Sequence, residues 1–138
     1  MGADEVRRNV VAEWMAKAED DLVAMARLLA DPVGCPTGVV CFCAQQCAEK
    51  YLKAVLAAEA IPFPRTHEIE KIIALLPRTV RVPLNAEEQE QLTSYAVVPR
   101  YPGPRGPISL AEARHAVRLA KRVRAAMRKR LSKPEGRR

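Results

Sequence analysis

Hydrophobic side chains recur every three or four residues along three proline-free stretches, which is the spacing of one face of an α-helix. We predict helices over residues 6–30, over residues 37–59 and from about Ser109 onwards. The first apolar stripe consists of Trp14, Ala18, Leu22, Met25 and Leu29. The second consists of Val40, Cys43, Cys47, Tyr51, Ala54 and Ala58. The third consists of Leu110, Ala113, Val117, Ala120, Met127 and Leu131, with Arg114, Arg118, Lys121 and Arg122 on the other side.

The middle of the chain is broken by prolines, eight of the eleven lying between residues 62 and 107. Shorter helices are predicted there, over residues 67–76 and 86–97. Four residues have the side chains that favour a helix N-cap. They are Thr37, Thr66, Asn85 and Ser109, the last two followed three residues later by the capping-box partners Glu88 and Glu112.

No stretch alternates apolar and polar residues with the period of a strand, and no internal repeat is present. The sequence therefore predicts an all-α fold, an antiparallel four- to five-helix up-and-down bundle with a Pro/Gly-rich loop before the last long helix. We expect one domain over residues 1–131 and a basic, disordered tail over residues 132–138. No apolar run could span a bilayer and no apolar signal core follows Met1, so a cytoplasmic protein is expected.

The net charge of +7 is concentrated at one end of the chain. Residues 114–138 hold eleven Lys or Arg and one acid, Glu135, for a net charge of +10, whereas residues 1–113 carry −3. A local basic stripe attracts nucleic acid, nucleotides or an acidic partner. The alternative is a solvated helix face followed by a charged tail.

Four cysteines, Cys35, Cys41, Cys43 and Cys47, lie close enough in sequence to raise the question of a zinc site. Cys43 and Cys47 share a helix face, but Cys41 points nearly opposite to Cys43 and cannot complete a tetrahedron with them. We interpret the cysteines as small core residues and predict neither a metal site nor a disulfide. The sequence also contains no phosphate-binding glycine loop, zinc-protease motif or nucleophile elbow, so no cofactor is predicted.

Three segments together resemble the HEPN domain, a small all-helical prokaryotic module. They are "FCAQQCAEKYLKAVL" in the second predicted helix, "RTHEIEKI" at the start of the middle helix and "PRYP" before the last long helix. The resemblance extends from about Trp14 to Leu131. It implies a helical bundle that is usually a homodimer and is often encoded beside a minimal nucleotidyltransferase, as a toxin–antitoxin-like pair.

Many members of that family are metal-independent ribonucleases, whose signature is an Arg followed by four to six residues and a His. After Arg100 the required positions hold Arg105, Gly106 and Pro107, and neither His67 nor His115 has an Arg at the matching distance. Since the imidazole that would transfer a proton is missing, we assign no catalytic residue. Phosphate binding by an arginine remains open, because it needs no such partner.

The loop "YAVVPRYPGPRGPIS" carries the phosphate or nucleotide candidates Arg100, Tyr101 and Arg105. Arg100 would bind a phosphate and Tyr101 would stack on a base. In the structural alternative, Arg100 pairs with Glu49 and Tyr101 plugs the end of the bundle.

Polar residues interrupt the apolar second helix at Gln45, Gln46, Glu49, Lys50 and Lys53. They form either the solvent face of the helix or a polar seam at an interface. Lys50 and Lys53 would extend the phosphate site, or else form a surface salt-bridge ladder. Gln46, Glu49 and His67 are expected to be structural polar partners, with His67 held at a helix start by local hydrogen bonds.

Three functions are compatible with these patterns. The first is a non-catalytic module that dimerises, binds a nucleotide or phosphate near Arg100 and partners a nucleotidyltransferase. The second is an atypical metal-independent ribonuclease that uses Arg100, Arg105 and one of the two histidines. The third is sequence-independent RNA binding by the last helix and the tail. The first is the hypothesis that the sequence favours.

Overall fold

The computed structural model describes residues 2–97 and 106–133, and these residues form five α-helices and no strand. The helices are α1 (Ala3–Leu29), α2 (Thr37–Ala58), α3 (Ile69–Ala74), α4 (Ala86–Ser94) and α5 (Leu110–Leu131). The prediction of an all-α bundle is confirmed. Most of the predicted tail, and the loop residues Arg100, Tyr101 and Arg105, lie outside the described residues.

Helix α2 is the centre of the bundle. It packs along α1 on one side and along α5 on another, and it also contacts α3 and α4. For this reason α2 is buried around most of its circumference and not only on the predicted stripe. Buried positions outside that stripe include Cys41, Ala44, Ala48, Leu52, Val55 and Leu56. The apolar core is built around this helix.

Helix α1 is buried only in its second half. Ala18 and Met25 of the predicted stripe are fully buried, whereas Trp14 is half-buried. Nearer the N-terminus, Val6 and Val10 are 47% and 40% exposed. The first turns of α1 therefore carry an apolar stripe that the described part of the chain does not cover.

Two of the four predicted N-caps are correct. Asn85 forms a complete capping box with Glu88, and Ser109 accepts a hydrogen bond from the backbone N–H of Glu112. The other two were wrong, because the cap positions of α2 and α3 are Pro36 and Glu68.

The two threonines that are not N-caps form other hydrogen bonds. Thr37 donates its hydroxyl proton to the backbone carbonyl of Ile108 at 2.6 Å, which joins the start of α2 to the segment before α5. Thr66 accepts a hydrogen bond from the N–H of Glu68. Helix α3 is shorter than predicted, since Glu68 has an extended backbone with φ −81° and ψ 106°. That conformation keeps His67 outside the helix.

Candidate functional site

A buried carboxylate on α2 organises the most connected polar cluster of the described structure. Glu49 is 5% exposed at its side chain and accepts hydrogen bonds from Gln45 Nε2 at 2.9 Å and Lys53 Nζ at 2.8 Å. Its third partner is His67, whose Nδ1 lies 2.8 Å from Glu49 Oε1. Gln46 donates to the side-chain oxygen of Gln45, which extends the cluster towards the surface. The polar seam on α2 was therefore the correct alternative.

Burial alone would raise the pKa of Glu49, but hydrogen bonds from Lys53, Gln45 and His67 outweigh it and hold that pKa below its usual range. Glu49 is accordingly ionised at neutral pH. An ionised carboxylate can only accept hydrogen bonds, so Nδ1 of His67 carries the proton in the bond between them. The ring is otherwise open to solvent, with the side chain 64% exposed.

Lys53 lies beneath two aromatic rings and not on the surface. Its Nζ is 5.6 Å from the ring centroid of Trp14 and 5.7 Å from that of Phe63. The two rings meet edge to face at 6.1 Å. Because the ammonium group is stabilised by Glu49 and by both ring faces, this lysine is a poor candidate for an open phosphate site.

Lys50 pairs with a carboxylate of α1. Its Nζ donates to Oδ2 of Asp21 on α1 at 2.7 Å. Burial raises the pKa of Asp21, although the hydrogen bond from Lys50 opposes that effect. The two lysines thus have separate carboxylate partners, Asp21 on α1 and Glu49 within α2.

A second polar cluster joins α1, α2 and α5 and was not identified from the sequence. Glu19 accepts hydrogen bonds from the Nε and Nη2 atoms of Arg124 and from the hydroxyl of Tyr51. Arg128 donates to the same hydroxyl. The hydrogen bond from Arg124 lowers the pKa of Glu19 to about 2, against the opposing effect of burial. No local pattern could reveal this pair, since Glu19 and Arg124 are 105 residues apart.

Helix α5 presents one continuous basic face. Exposed cations occupy positions three, four and seven residues apart on the side away from the core: Arg114, Arg118, Lys121, Arg122, Arg128 and Lys129. Arg122 pairs with Glu88, and the basic residues on the flanks of the helix, Arg124 and Arg130, pair with Glu19 and Glu59. Arg114, Arg118 and Lys121 have no carboxylate within ion-pair distance among the described residues.

In residues 2–97 and 106–133, no three His, Cys, Asp or Glu side chains are grouped in a way that could hold a metal ion. Of the four cysteines interpreted as core residues, Cys41 and Cys47 are buried in the core, whereas Cys35 and Cys43 are half-buried. In this part of the chain no helix is both long and apolar enough to cross a membrane.

Comparison with known proteins agrees with this architecture. The family model for the HEPN domain matches residues 11–130. Among solved structures, the chain is similar to the crystal structure of TT1696 from Thermus thermophilus, with 29% sequence identity and a TM-score of 0.76 over 86% of this chain and 96% of that one. No curated protein matches the sequence. Since the family model covers most of the chain, from α1 to the last turn of α5, this protein belongs to the HEPN domain family.

Proposed function

We propose that this protein is a HEPN module that binds the phosphates of RNA through the exposed face of α5. The observation that carries the proposal is the row formed by Arg114, Arg118 and Lys121, which stand one helical turn apart with no described carboxylate partner. The whole basic face, from Arg114 to Lys129, is about 22 Å long at 1.5 Å per residue. Such a face can contact several successive phosphates.

The proline-rich segment that carries Arg100, Tyr101 and Arg105 lies shortly before α5 in the sequence. We propose that its two arginines extend the phosphate-binding face and that Tyr101 stacks on a base. Lys50 and Lys53 are left out of this proposed site, since each is held in its own buried or half-buried ion pair.

The test is a titration of single-stranded RNA at several salt concentrations. Replacing Arg114, Arg118 and Lys121 by Gln should weaken binding about tenfold or more and lower the slope of log K against log salt by about one per lost phosphate contact. Replacing Arg8, Lys17 and Arg27 by Gln removes the same number of exposed cations from α1, and this matched control should change the affinity little. Unchanged affinity and slope in the triple variant would remove the α5 face from the proposal.

A second proposal concerns the working assembly, a homodimer paired through the first half of α1. In an antiparallel pairing centred on Val10, Val6 of each copy meets Trp14 of the other and Arg7 meets Glu13. The exposed apolar stripe and these complementary charges support that pairing. Val10→Glu should convert a dimer to a monomer in sedimentation velocity, and a wild-type monomer at all concentrations would contradict the proposal.

We also propose a minimal nucleotidyltransferase as the partner, in a toxin–antitoxin-like pair in the cytoplasm. Family membership supports it, because the resemblance implies that association. The test is co-purification with the product of any neighbouring nucleotidyltransferase reading frame. Independent elution of both proteins would contradict it.

A further inference from the structure

The imidazole ring of His67 is hydrogen-bonded to Glu49 through Nδ1, and the rest of the ring is exposed to solvent. With the proton on Nδ1 directed at Glu49, the neutral ring has its lone pair on Nε2. A carboxylate on the N–H side of an imidazole fixes the tautomer and stabilises positive charge that develops on the ring. Nε2 of His67 is therefore an oriented nucleophile at an exposed position.

We propose that Nε2 of His67 is a phosphoryl-acceptor site, for which the phosphoryl donor is a phosphoramidate or an acyl phosphate. The Nε2 lone pair attacks phosphorus and the P–N bond forms as the bond from phosphorus to the donor's leaving group breaks. The leaving group departs with the electron pair: an acyl phosphate releases a carboxylate, which stays ionised, and a phosphoramidate releases an amine, whose nitrogen takes a proton from water. The ring becomes positively charged and keeps its Nδ1 proton, and Glu49 continues to accept the hydrogen bond from Nδ1.

The exposure of the His67 ring and the charges near it in the sequence are compatible with a phosphoryl group on Nε2. A ring that is 64% exposed can be reached by a group that a separate molecule delivers. Arg65, two residues earlier in the chain, is an exposed cation. Of the other nearby charges, Lys53 is bound to Glu49, and Lys71 pairs with Glu68 at 2.8 Å. The proposal is independent of RNA binding, since it uses none of the residues of the α5 face.

The experiment treats the full-length protein with potassium phosphoramidate and follows both histidines by peptide mass spectrometry and ³¹P NMR. His115, half-buried on α5, is the internal reference. We expect His67 to gain an acid-labile phosphoryl group about tenfold faster than His115, which corresponds to about 1.4 kcal/mol in the barrier. His67→Gln should abolish this labelling, and equal rates at the two histidines would overturn the proposal.

Exposure alone could make His67 react faster, so the decisive variant is Glu49→Gln. It leaves the ring exposed and keeps an acceptor for Nδ1, but it removes the negative charge. The His67 rate should fall about tenfold, whereas the matched control Glu13→Gln, on the exposed face of α1, should leave it unchanged. A folded Glu49→Gln protein that labels at the wild-type rate would contradict the assigned role of the carboxylate.

If Glu49→Gln does not fold, a measurement on the wild-type protein tests the proposal by determining the tautomer of His67. The ¹⁵N chemical shifts of the neutral His67 ring should show a protonated Nδ1 and an unprotonated Nε2. The opposite tautomer would leave no lone pair on Nε2 and would overturn the proposal.

Discussion

Arg124 on α5 and Glu19 on α1 form two parallel hydrogen bonds, of 2.7 and 3.0 Å, between the last and the first helices of the bundle. Each of these two helices packs mainly against α2. The bidentate pair is therefore a direct polar link between them, with Tyr51 of α2 bonded to the same carboxylate. Such geometry is stronger than that of a single-contact surface ion pair.

The first prediction is that Glu19→Gln lowers the free energy of unfolding at pH 7 by about 1 kcal/mol, a value that allows for the partial exposure of both side chains. The pKa of Glu19 is about 2 in the folded protein, against an ordinary value of 4.5. A lowered pKa contributes stability that is complete above pH 4.5 and is lost as the pH falls towards 2.

Chemical denaturation of both proteins between pH 2 and pH 7 measures this difference. The gap between wild type and Glu19→Gln should narrow as the pH falls. Glu13→Gln serves as the control, because Glu13 has only a 3.7 Å contact with Lys17 on the exposed face of α1. A gap that stays constant down to pH 2 would show that the pair contributes no pH-dependent stability.

The second prediction concerns Lys53, whose ammonium group is buried against Glu49, Trp14 and Phe63. Lys53→Met should destabilise the protein by about 3 kcal/mol, since it removes one partner of a buried charge pair and leaves the other. Lys17→Met, on the exposed face of α1, should cost less than about 0.5 kcal/mol.

A double-mutant cycle with Glu49→Gln isolates the interaction. Once Glu49 is neutral, Lys53→Met should cost at least about 1 kcal/mol less than in the wild type. Additive effects of the two substitutions would mean that Lys53 stabilises the fold through its aromatic contacts alone.

The helices and their class could be predicted because each long helix repeats its apolar residues at the helical period. The polar seam could not be resolved in the same way, because Glu49 and Lys53 occur on a helix whose neighbours cover nearly every side. Periodicity indicates which face of a helix is apolar, but not that a third and a fourth helix will bury the polar face as well. The placement of His67 against Glu49 depends on residues 61–68, which have no regular secondary structure and for which the sequence carries no periodic signal.

The N-cap predictions that were correct differ from those that were wrong in the residue three positions later. Asn85 and Ser109 are each followed by a Glu three residues later and act as caps. Thr37 and Thr66 lack that partner, and their hydroxyls bond elsewhere. The second residue of the capping box was thus the more reliable signal.

The third prediction follows from the capping box of α4. Asn85→Ala should cost about 1 kcal/mol, because it leaves the backbone N–H of Glu88 without its side-chain acceptor. Asn85→Gly should cost only a few tenths of a kcal/mol, since glycine is tolerated at this position. Thermal unfolding of the two variants and the wild type makes the comparison, and an Asn85→Ala protein as stable as the wild type would show that the side-chain hydrogen bond contributes nothing.

The fourth prediction ranks the reactivity of the cysteines. Cys47 is buried among α1, α2 and α5, and burial raises the pKa of its thiol to about 12. At pH 8 only about one thiol in ten thousand would be the reactive thiolate, and the sulfur is also inaccessible. Cys35, half-buried in the turn before α2, should react first with an uncharged alkylating reagent, and Cys47 only when the bundle opens.

Mass spectrometry of peptides taken at successive times distinguishes the two sites. The rate at Cys47 should rise with denaturant in proportion to the unfolded population, whereas the rate at Cys35 should depend on it only weakly. Rapid labelling of Cys47 in the absence of denaturant would place its sulfur at the surface. That result would contradict the packing of α2 at the centre of the bundle, on which the buried Glu49 cluster also depends.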